Sequence, residues 1–380
     1  MKCNICMNSA RPVYVSGSPL SITSICQTIN QITEVFFCDS CGHLKTRELK
    51  NIDDYYDKNY KFLSTSEEED QLYKIENGRK VFRYDHQALT LLRKINIPDN
   101  AEVLDFGCSK GGTLKRIVSE RADIVPYLFD VTDSYTHFWE FVSKDRQAIY
   151  EIPESWNGRF DVVTSFFAFE HMDNPKAVLN KVSGLLKTGG IFYGIIPNVY
   201  ANWADFLVID HVNHFSHSSL KYFLSAGGLS VAEIDDTMHE SAFVFVAKKI
   251  KNNEIIKPKR NDLSKVAKDV YIISNFWSSM AERIRRFEDT VPNKRVAIYG
   301  SGFYGTFIAS NLKNQHSLVC FIDRNPYRQN QALLGKPIID PQSLPIDAEV
   351  IYVGLNPRLA KTEMLKVKVW ENRSLEFFYL

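Results

Sequence analysis

Four cysteines near the start of the chain stand in two Cys-x-x-Cys pairs, Cys3 with Cys6 and Cys38 with Cys41. A short turn lets both thiolates of a pair face one ion, and two such pairs complete the tetrahedral set that zinc prefers. Disulfides do not persist in a reducing compartment, and a redox Cys-x-x-Cys needs a thioredoxin-like context that this stretch lacks. We therefore predict a structural zinc site at these cysteines, with His43 as an alternative ligand.

A glycine-rich turn lies in the stretch AEVLDFGCSKGG, residues 101–112. Its apolar residues predict a buried strand that ends at Asp105, and Gly107, Ser109 and Gly111 fall in the turn that follows. A turn of this kind lets a ligand approach the backbone closely, and the N–H groups of the following helix suit polar or negative ligand atoms. By itself, the turn is also compatible with a simple strand–helix connection.

The element after this turn is a predicted helix over 113–121, and the next predicted strand, 125–130, ends in Asp130. That acid follows the glycine turn at about the interval expected of a carboxylate that binds ribose hydroxyls. We therefore expect Asp130 and the turn to hold one nucleoside-containing ligand.

A second glycine turn occurs in RVAIYGSGFYGTFIASNL, where Gly300, Gly302 and Gly305 form a G-x-G-x-x-G pattern and Asp323 ends the next strand. This pattern is typical of a dinucleotide site, but it also occurs where the turn serves only packing. The segment alone does not distinguish the two.

The elements that position these residues alternate between strands and helices over 101–249, which predicts a parallel sheet with helices on both faces. The expected elements after Asp130 are a buried strand at 160–169, a helix at 175–186, a strand at 191–196, a helix at 218–226 and a terminal antiparallel hairpin. Before the sheet, the acidic run 66–70 is interpreted as the start of a helix, with apolar residues at helical spacing up to Ile95. After it, a polar linker precedes a long amphipathic helix over 263–287.

Composition restricts the class of protein. The chain has 380 residues, of which 44% are hydrophobic and 24% charged, and its formal net charge is +1. These values are typical of a soluble globular protein of two or three domains and argue against a dedicated nucleic-acid binder. No apolar run approaches a membrane span, and the start of the chain lacks the apolar core of a secretory signal. We expect a cytoplasmic protein with no membrane insertion, divided at 1–60, 61–249 and 250–380.

The first turn and its flanks resemble motif I of the class I S-adenosylmethionine-dependent methyltransferases, with Ser109 at the usual middle glycine. The segments FDVVTSFFAFEHMDNP and LLKTGGIFYGIIPN are similar to later motifs of that fold. The resemblance implies an α/β core of the Rossmann-like methyltransferase type. S-adenosylmethionine should then lie over Asp105, Gly107, Ser109 and Gly111, with its ribose on Asp130.

Over nearly the whole chain, the order of segments resembles the sugar C-methyltransferases that act on nucleotide-linked 4-keto-deoxysugars. The matching features are the cysteine pairs, the methyltransferase core, YGSGFYG from Tyr299, FIDRNPYRQN from Phe321 and LLGKPIIDPQSL. The resemblance implies a zinc-binding module at 1–60, a methyltransferase domain at 61–249 and, at 250–380, a linker, long helix and second Rossmann-like domain. It also implies that this last domain helps to hold the sugar nucleotide and is no dehydrogenase.

The same resemblance assigns candidate catalytic residues. The family's Tyr-His-Glu-His segment falls on 208–211, where His211 matches, Asp210 replaces the glutamate and Val208 replaces the tyrosine. A second family histidine falls on His171, and the first tyrosine of a further motif falls on Tyr60.

C-methylation next to a ketone needs a base that forms an enolate, and a histidine suits this role. Our hypothesis is that His211 is the base, that Asp210 or another carboxylate sets its tautomer, and that His171 lines the pocket or steadies the enolate oxygen. His211, His214 and His217 recur at every third residue, so a metal site is an alternative, although Ser216 or Ser218 should cap a helix there.

Other functions remain open at this level. One is an O- or N-methyltransferase of a sugar nucleotide or surface polysaccharide, because an oxygen acceptor needs only one deprotonated hydroxyl. A zinc-ribbon RNA methyltransferase or RNA-binding protein would need a basic face around the cysteine pairs, which this chain lacks. A catalytically inactive scaffold is the third alternative. The sequence does not indicate the oligomeric state.

Overall fold

The computed structural model describes residues 1–50, Tyr55 and 66–380. These residues form two compact units: Met1–Val13, Glu34–Asp205 and Asp210–Val270 in the first, and Tyr14–Thr33, Phe206–Ile209 and Tyr271–Leu380 in the second. The division at 1–60, 61–249 and 250–380 stays a prediction.

In chain order, the strands and helices are β1 Arg11–Val15, β2 Ser21–Ile22, β3 Thr28–Ile29, β4 Glu34–Phe37, β5 Leu44–Thr46, β6 Leu72–Glu76, β7 Arg79–Phe82, α1 Arg83–Lys94, β8 Glu102–Phe106, α2 Gly112–Glu120, β9 Val125–Asp130, β10 Gln147–Ile149, β11 Phe160–Phe166, α3 Pro175–Leu185, β12 Leu186–Pro197, β13 Asn213–His214, α4 His217–Ala226, β14 Leu229–Asp235, β15 Ala242–Lys249, α5 Arg260–Thr290, β16 Val296–Tyr299, α6 Phe303–Asn311, β17 Leu318–Ile322, β18 Ala332–Leu333, β19 Lys336–Ile339, β20 Val350–Val353, α7 Ala360–Met364 and β21 Glu376–Tyr379.

The first unit is built around a seven-stranded sheet in the order β10-β9-β8-β11-β12-β15-β14. The strands from β10 to β12 pair in parallel, and β15 runs antiparallel to both of its neighbours. Successive apolar residues of one strand enter the cores on opposite faces, Val103 on one and Leu104 on the other. This two-sided burial explains the near-continuous apolar runs in the sequence. The predicted class I methyltransferase core, with its terminal hairpin, is confirmed.

One predicted element is wrong. The stretch expected to be helical from 66 onward contains the hairpin of β6 and β7, and the helix begins only at Arg83. Asn77 and Gly78 join the two strands with φ of 49° and 78°, which are the left-handed conformations of a tight hairpin turn. The Asn-Gly pair was therefore a stronger local signal than the helical spacing of the apolar residues.

Strand β11 is also shorter than predicted. It ends at Phe166, and Phe167 takes φ of 54°, a left-handed conformation that turns the chain out of the sheet. A short 3-10 helix, Phe169–His171, follows at the carboxyl end of the strand. This turn is where ligands of parallel α/β sheets bind, so it places Glu170 and His171 at a functional edge.

The cysteine segment contributes to a four-stranded sheet in the order β1-β4-β5-β13. The last of these strands comes from far along the chain, because Asn213 and His214 pair antiparallel with Lys45 and Leu44. The strand that contains His214 is therefore the last strand of the sheet to which the cysteine segment contributes. No local pattern of residues predicts this pairing.

The second unit contains a six-stranded sheet in the order β18-β19-β17-β16-β20-β21, in which β16 pairs in parallel with β17 and β20. The glycine turn after β16 leads into α6, as the pattern predicts. Its assignment as a sugar-nucleotide-binding domain stays a prediction. Among the described residues, no helix combines the length and apolar character of a membrane span.

Candidate functional site

The first glycine turn alternates left-handed residues: φ is 72° at Gly107, 49° at Ser109 and 69° at Gly111. A Cβ at Gly107 would lie 2.9 Å from the Cβ of Ala168, so a side chain there would be both strained and crowded. Ser109 keeps the conformation expected of the missing glycine although it has a side chain. The turn thus keeps the form expected of an S-adenosylmethionine loop.

Two neighbours hold Ser109 in this conformation. Its N–H donates to the Asp130 carboxylate at 2.7 Å, and its carbonyl accepts from the buried indole of Trp139 at 2.6 Å. Asp130 therefore organises the turn from the end of β9, at the place predicted for the ribose-binding acid. Burial raises the pKa of Asp130 to about 6, against the backbone hydrogen bonds that it accepts.

Asp105, over which S-adenosylmethionine is predicted to lie, is buried and bonded to the neighbouring strand. It is 2% exposed, and its carboxyl accepts a 3.0 Å hydrogen bond from Thr164 of the neighbouring strand β11. Burial raises the pKa of Asp105 to about 7. The residue joins β8 to β11 directly beneath the turn.

Lys110, inside the same turn, was not singled out in the sequence. Its buried ammonium donates to the carbonyls of Ser66, Glu67 and Glu69, at 2.6, 3.2 and 2.8 Å. The lysine thus anchors the segment before β6 onto the glycine turn. Only the folded contact reveals this role, because a lysine in a loop is usually solvated.

The four predicted cysteine ligands come together. Their sulfur atoms lie within 4.8 Å of one another, and Cys3 and Cys6 are 3.7 and 3.4 Å from Cys41 and Cys38 across the pairs. In each pair the residue after the second cysteine, Met7 or Gly42, is left-handed. The arrangement could hold a metal ion, and four thiolates fit zinc. No disulfide links them.

His43 lies outside this cluster. Its Nε2 is 3.3 Å from the side-chain oxygen of Asn213, which also accepts a 2.7 Å hydrogen bond from Asn4. The side-chain amide of Asn213 donates to the carbonyls of Phe169 and Met172 at 3.0 and 2.5 Å. Asn213 therefore connects both cysteine pairs to the turn that carries Glu170 and His171.

The carboxylate bonded to His211 is Asp205, which the sequence analysis did not name. Nδ1 of His211 donates to one oxygen of Asp205 at 2.5 Å, and Nδ1 of His214 donates to the other at 2.7 Å. Thr46 lies 2.8 Å from Nε2 of His214, so both nitrogens of that ring are used. The described residues provide no partner for Nε2 of His211.

These contacts change the pKa values of His211 and Asp205. Burial alone would lower the pKa of His211, but the Asp205 carboxylate outweighs it and raises this pKa to about 9. The two histidines in turn hold the pKa of Asp205 well below its usual range, against the effect of burial. His211 therefore binds a proton strongly.

Asp210 occupies a different position from the one predicted. It is fully buried, and its backbone carbonyl accepts a 3.0 Å hydrogen bond from Nδ1 of His171, whose ring lies 4.7 Å from that of His211. Burial lowers the pKa of His171 to about 4, which keeps the imidazole neutral. With its proton on Nδ1, the neutral ring of His171 has its lone pair on Nε2, and both predicted roles, lining the pocket or steadying an enolate oxygen, stay predictions.

Glu170 completes this group. It is 1% exposed, its Oε2 has no hydrogen-bond partner among the described residues, and burial raises its pKa to about 7. Its carboxylate and the ring nitrogens of His171 and His211 lie within 4.8 Å of one another. The predicted alternative of His211, His214 and His217 is not such a cluster in the described part of the chain, because His217 is the first residue of α4 behind a Ser216 capping box. Tyr60 lies outside the described residues.

The second glycine turn uses its glycines for packing. A Cβ at Gly300 would lie 2.4 Å from the carbonyl oxygen of Gly354, and one at Gly305 would lie 2.0 Å from that of Gly300. Asp323 accepts from both the N–H and the hydroxyl of Ser301, at 3.0 and 2.5 Å. Of the three glycines in this turn, Gly302 alone has no atom of the described residues within 4 Å of a Cβ added to it.

A family model described as a methyltransferase domain matches residues 78–234 of this chain. These residues include the first glycine turn, Asp130 and the cluster around His211. The match and the fold define residues 78–234 as a class I S-adenosylmethionine-dependent methyltransferase domain, and the protein is a methyltransferase. No curated protein sequence matches it significantly.

Three solved structures are each similar to less than half of this chain. An S-adenosylmethionine-dependent methyltransferase from Mesorhizobium loti is 13% identical, with 43% of this chain and 98% of that chain covered and a TM-score of 0.36. One from Aquifex aeolicus is 17% identical, with 43% and 89% covered and a TM-score of 0.36. A chain from a complex with the Trm112 methyltransferase activator of Haloferax volcanii is 19% identical, with 44% and 91% covered and a TM-score of 0.37. Because these TM-scores are low, the assignment as a methyltransferase depends on the family match and the site geometry.

Proposed function

We propose that this enzyme methylates a nucleotide-linked 4-keto-deoxysugar at a ring carbon, through an enolate that His211 generates. The observation that carries the proposal is the Asp205–His211 pair. In the neutral form of His211, Asp205 accepts the proton on Nδ1 and the lone pair is on Nε2, which has no partner among the described residues. A carbon-bound proton is only weakly acidic, and the neutral form of a histidine whose pKa is raised to about 9 is a stronger base than an ordinary imidazole, although it is the minor form at pH 7.

The cofactor binds, in this proposal, at the first glycine turn. S-adenosylmethionine supplies an electrophilic methyl group when it is bound. Gly107, Ser109 and Gly111 provide the backbone surface, and Asp130 accepts hydrogen bonds from the ribose hydroxyls while it holds the N–H of Ser109. His171 lines the acceptor pocket, and Asp210 holds the orientation of His171 through its carbonyl.

Zinc has a supporting role in the same proposal. Cys3, Cys6, Cys38 and Cys41 hold it, and their pairs are connected through Asn213 to the turn of Glu170 and His171. The metal would therefore fix the position of the acceptor pocket without taking part in the reaction. Unlinked thiolates fit a reducing compartment, which supports a cytoplasmic location.

Product analysis by NMR tests the function. The enzyme is incubated with carbon-13-methyl S-adenosylmethionine and a panel of nucleotide-linked sugars that contains 4-keto-deoxysugars and their 4-hydroxy counterparts. We expect a methyl signal coupled to a ring carbon, from the keto sugars only. An O-methyl or N-methyl signal would replace C-methylation by the second candidate function, which the loss of the family tyrosine at Val208 favours. Transfer to RNA, or cofactor binding without turnover of any sugar, would contradict the proposal.

A further inference from the structure

We propose that Glu170, His171 and His211 form a divalent-cation site that is distinct from the cysteine cluster and takes a metal with nitrogen and oxygen ligands. The three donor atoms lie within 4.8 Å of one another at the carboxyl edge of the sheet. Two imidazoles and one carboxylate are the facial set that binds Zn²⁺, Co²⁺ or Fe²⁺ and leaves further coordination positions open.

The outer contacts of both histidines are those of metal ligands. Imidazoles that bind a metal through one nitrogen usually donate the other N–H to a carboxylate or a backbone carbonyl. His211 donates Nδ1–H to the carboxylate of Asp205, and His171 donates Nδ1–H to the carbonyl of Asp210. In their neutral forms, both rings therefore have the lone pair on Nε2, the nitrogen that would bind the metal.

The carboxylate supplies an independent observation. Glu170 is 1% exposed, and its buried Oε2 has no hydrogen-bond partner within residues 1–50, 55 and 66–380. A buried carboxylate oxygen without a partner is costly, and a cation removes that cost. The carboxyl group of Asp210, 3.8 Å from Nδ1 of His171, adds a further acidic group close to the site.

A bound cation would inhibit the proposed reaction. This consequence depends on the proposed function, because the metal and the acceptor proton would compete for Nε2 of His211. Inhibition should therefore be competitive with the acceptor sugar and not with S-adenosylmethionine. The binding of the metal itself does not depend on the identity of the acceptor.

Cobalt binding tests the site on the whole enzyme. Wild-type protein, Glu170→Gln and the exposed matched control Glu154→Gln are equilibrated with Co²⁺, and bound metal per chain is measured by mass spectrometry together with visible absorption. We expect one more equivalent in wild type and Glu154→Gln than in Glu170→Gln, with the weak absorption bands of nitrogen and oxygen ligands. Equal metal content in the three proteins would overturn the proposal.

A second variant covers the case in which Glu170→Gln fails to fold. Asp205→Asn keeps the size of the side chain but weakens the support of His211, and we expect about a 10- to 100-fold loss of Co²⁺ affinity. Unchanged affinity would contradict the site. If Co²⁺ binds as expected but leaves sugar methylation unaffected, the cation site stands and the role of His211 as base fails.

Discussion

Both glycine turns of this chain follow a buried strand and precede a helix, yet their glycines are needed for different reasons. In the first turn, Gly107 and Gly111 are left-handed together with Ser109, and the alternation shapes a backbone surface. The second turn is more tightly enclosed: a Cβ would lie 2.4 Å from a backbone oxygen at Gly300, which is also left-handed, and 2.0 Å from one at Gly305, against 2.9 Å from a side chain at Gly107. A glycine pattern in a sequence therefore identifies a tight turn but does not identify its use.

The acids that follow the two turns, Asp130 and Asp323, also differ in their hydrogen-bond partners. Asp130 braces the first turn through a single N–H of Ser109 and backbone groups beside it. Asp323 accepts from the N–H and hydroxyl of Ser301 and from the N–H of Asn325, and Arg328 donates to the carbonyl of Ser301. Asp130 thus accepts from backbone N–H groups, whereas Asp323 is also bonded to a side-chain hydroxyl of its own loop; a ribose on Asp130 is part of the proposed function.

The largest effect is expected for a methyl group in the second turn. Gly305→Ala places Cβ 2.0 Å from the carbonyl oxygen of Gly300, and we expect a loss of about 3 kcal/mol or more in the free energy of unfolding. Gly302→Ala is the matched control, because nothing lies within 4 Å of its Cβ. Denaturant unfolding compares the two. Equal stabilities would show that the second turn is not packed as described.

Substitution of the two acids should have different effects on the affinity for S-adenosylmethionine. Asp130→Ala removes the charged acceptor and releases Ser109, so we expect about a 10- to 100-fold loss of S-adenosylmethionine affinity. Asp323→Ala should leave that affinity unchanged. Isothermal titration calorimetry measures both variants, and a comparable loss in each would remove the functional distinction between the turns.

The affinity for S-adenosylmethionine should also depend on pH. Burial raises the pKa of Asp130 to about 6, so its carboxylate is ionised above this pH and protonated below it. Affinity should therefore fall as the pH drops through 6, by up to about tenfold per pH unit. The Asp130→Asn variant should bind weakly with a flatter profile. A wild-type affinity that is constant between pH 5 and about 8 would contradict the assignment of Asp130.

The smallest effect is expected for Ser109→Gly. The left-handed φ of 49° costs a residue with a Cβ about 1 kcal/mol, which glycine avoids while losing more chain entropy on folding. We expect a change in stability within about 1 kcal/mol and unchanged cofactor affinity. Thermal unfolding and calorimetry check both. A large loss of affinity would mean that the serine hydroxyl itself binds the ligand.

Much of the core could be predicted because it depends on local pattern. The strand that ends at Asp105, the turn and the strand that ends at Asp130 follow from apolar runs and glycines that are adjacent in the sequence. The cysteine cluster follows from spacing that few other structures need.

The remaining site residues could not be predicted because they depend on contacts across the fold. Asp205 supports His211 through a connection that includes a 3-10 helix, Trp203–Leu207, and nothing in the sequence marks it above Asp210. Glu170 adjoins a predicted histidine, but only the structure shows that its Oε2 is buried with no partner in the described part of the chain. The pairing of β13 with β5, which connects the histidines to the cysteine sheet, likewise has no local signal.

The most direct test of the account is hydrogen exchange at the acceptor carbon. The nucleotide-linked keto sugar is incubated in heavy water with wild type, His211→Ala or the exposed matched control His217→Ala, and loss of the ring proton is followed by NMR. We predict exchange with wild type and with His217→Ala and none above background with His211→Ala. Unchanged exchange with His211→Ala would show that another group removes the proton and would contradict the assignment of His211 as the base.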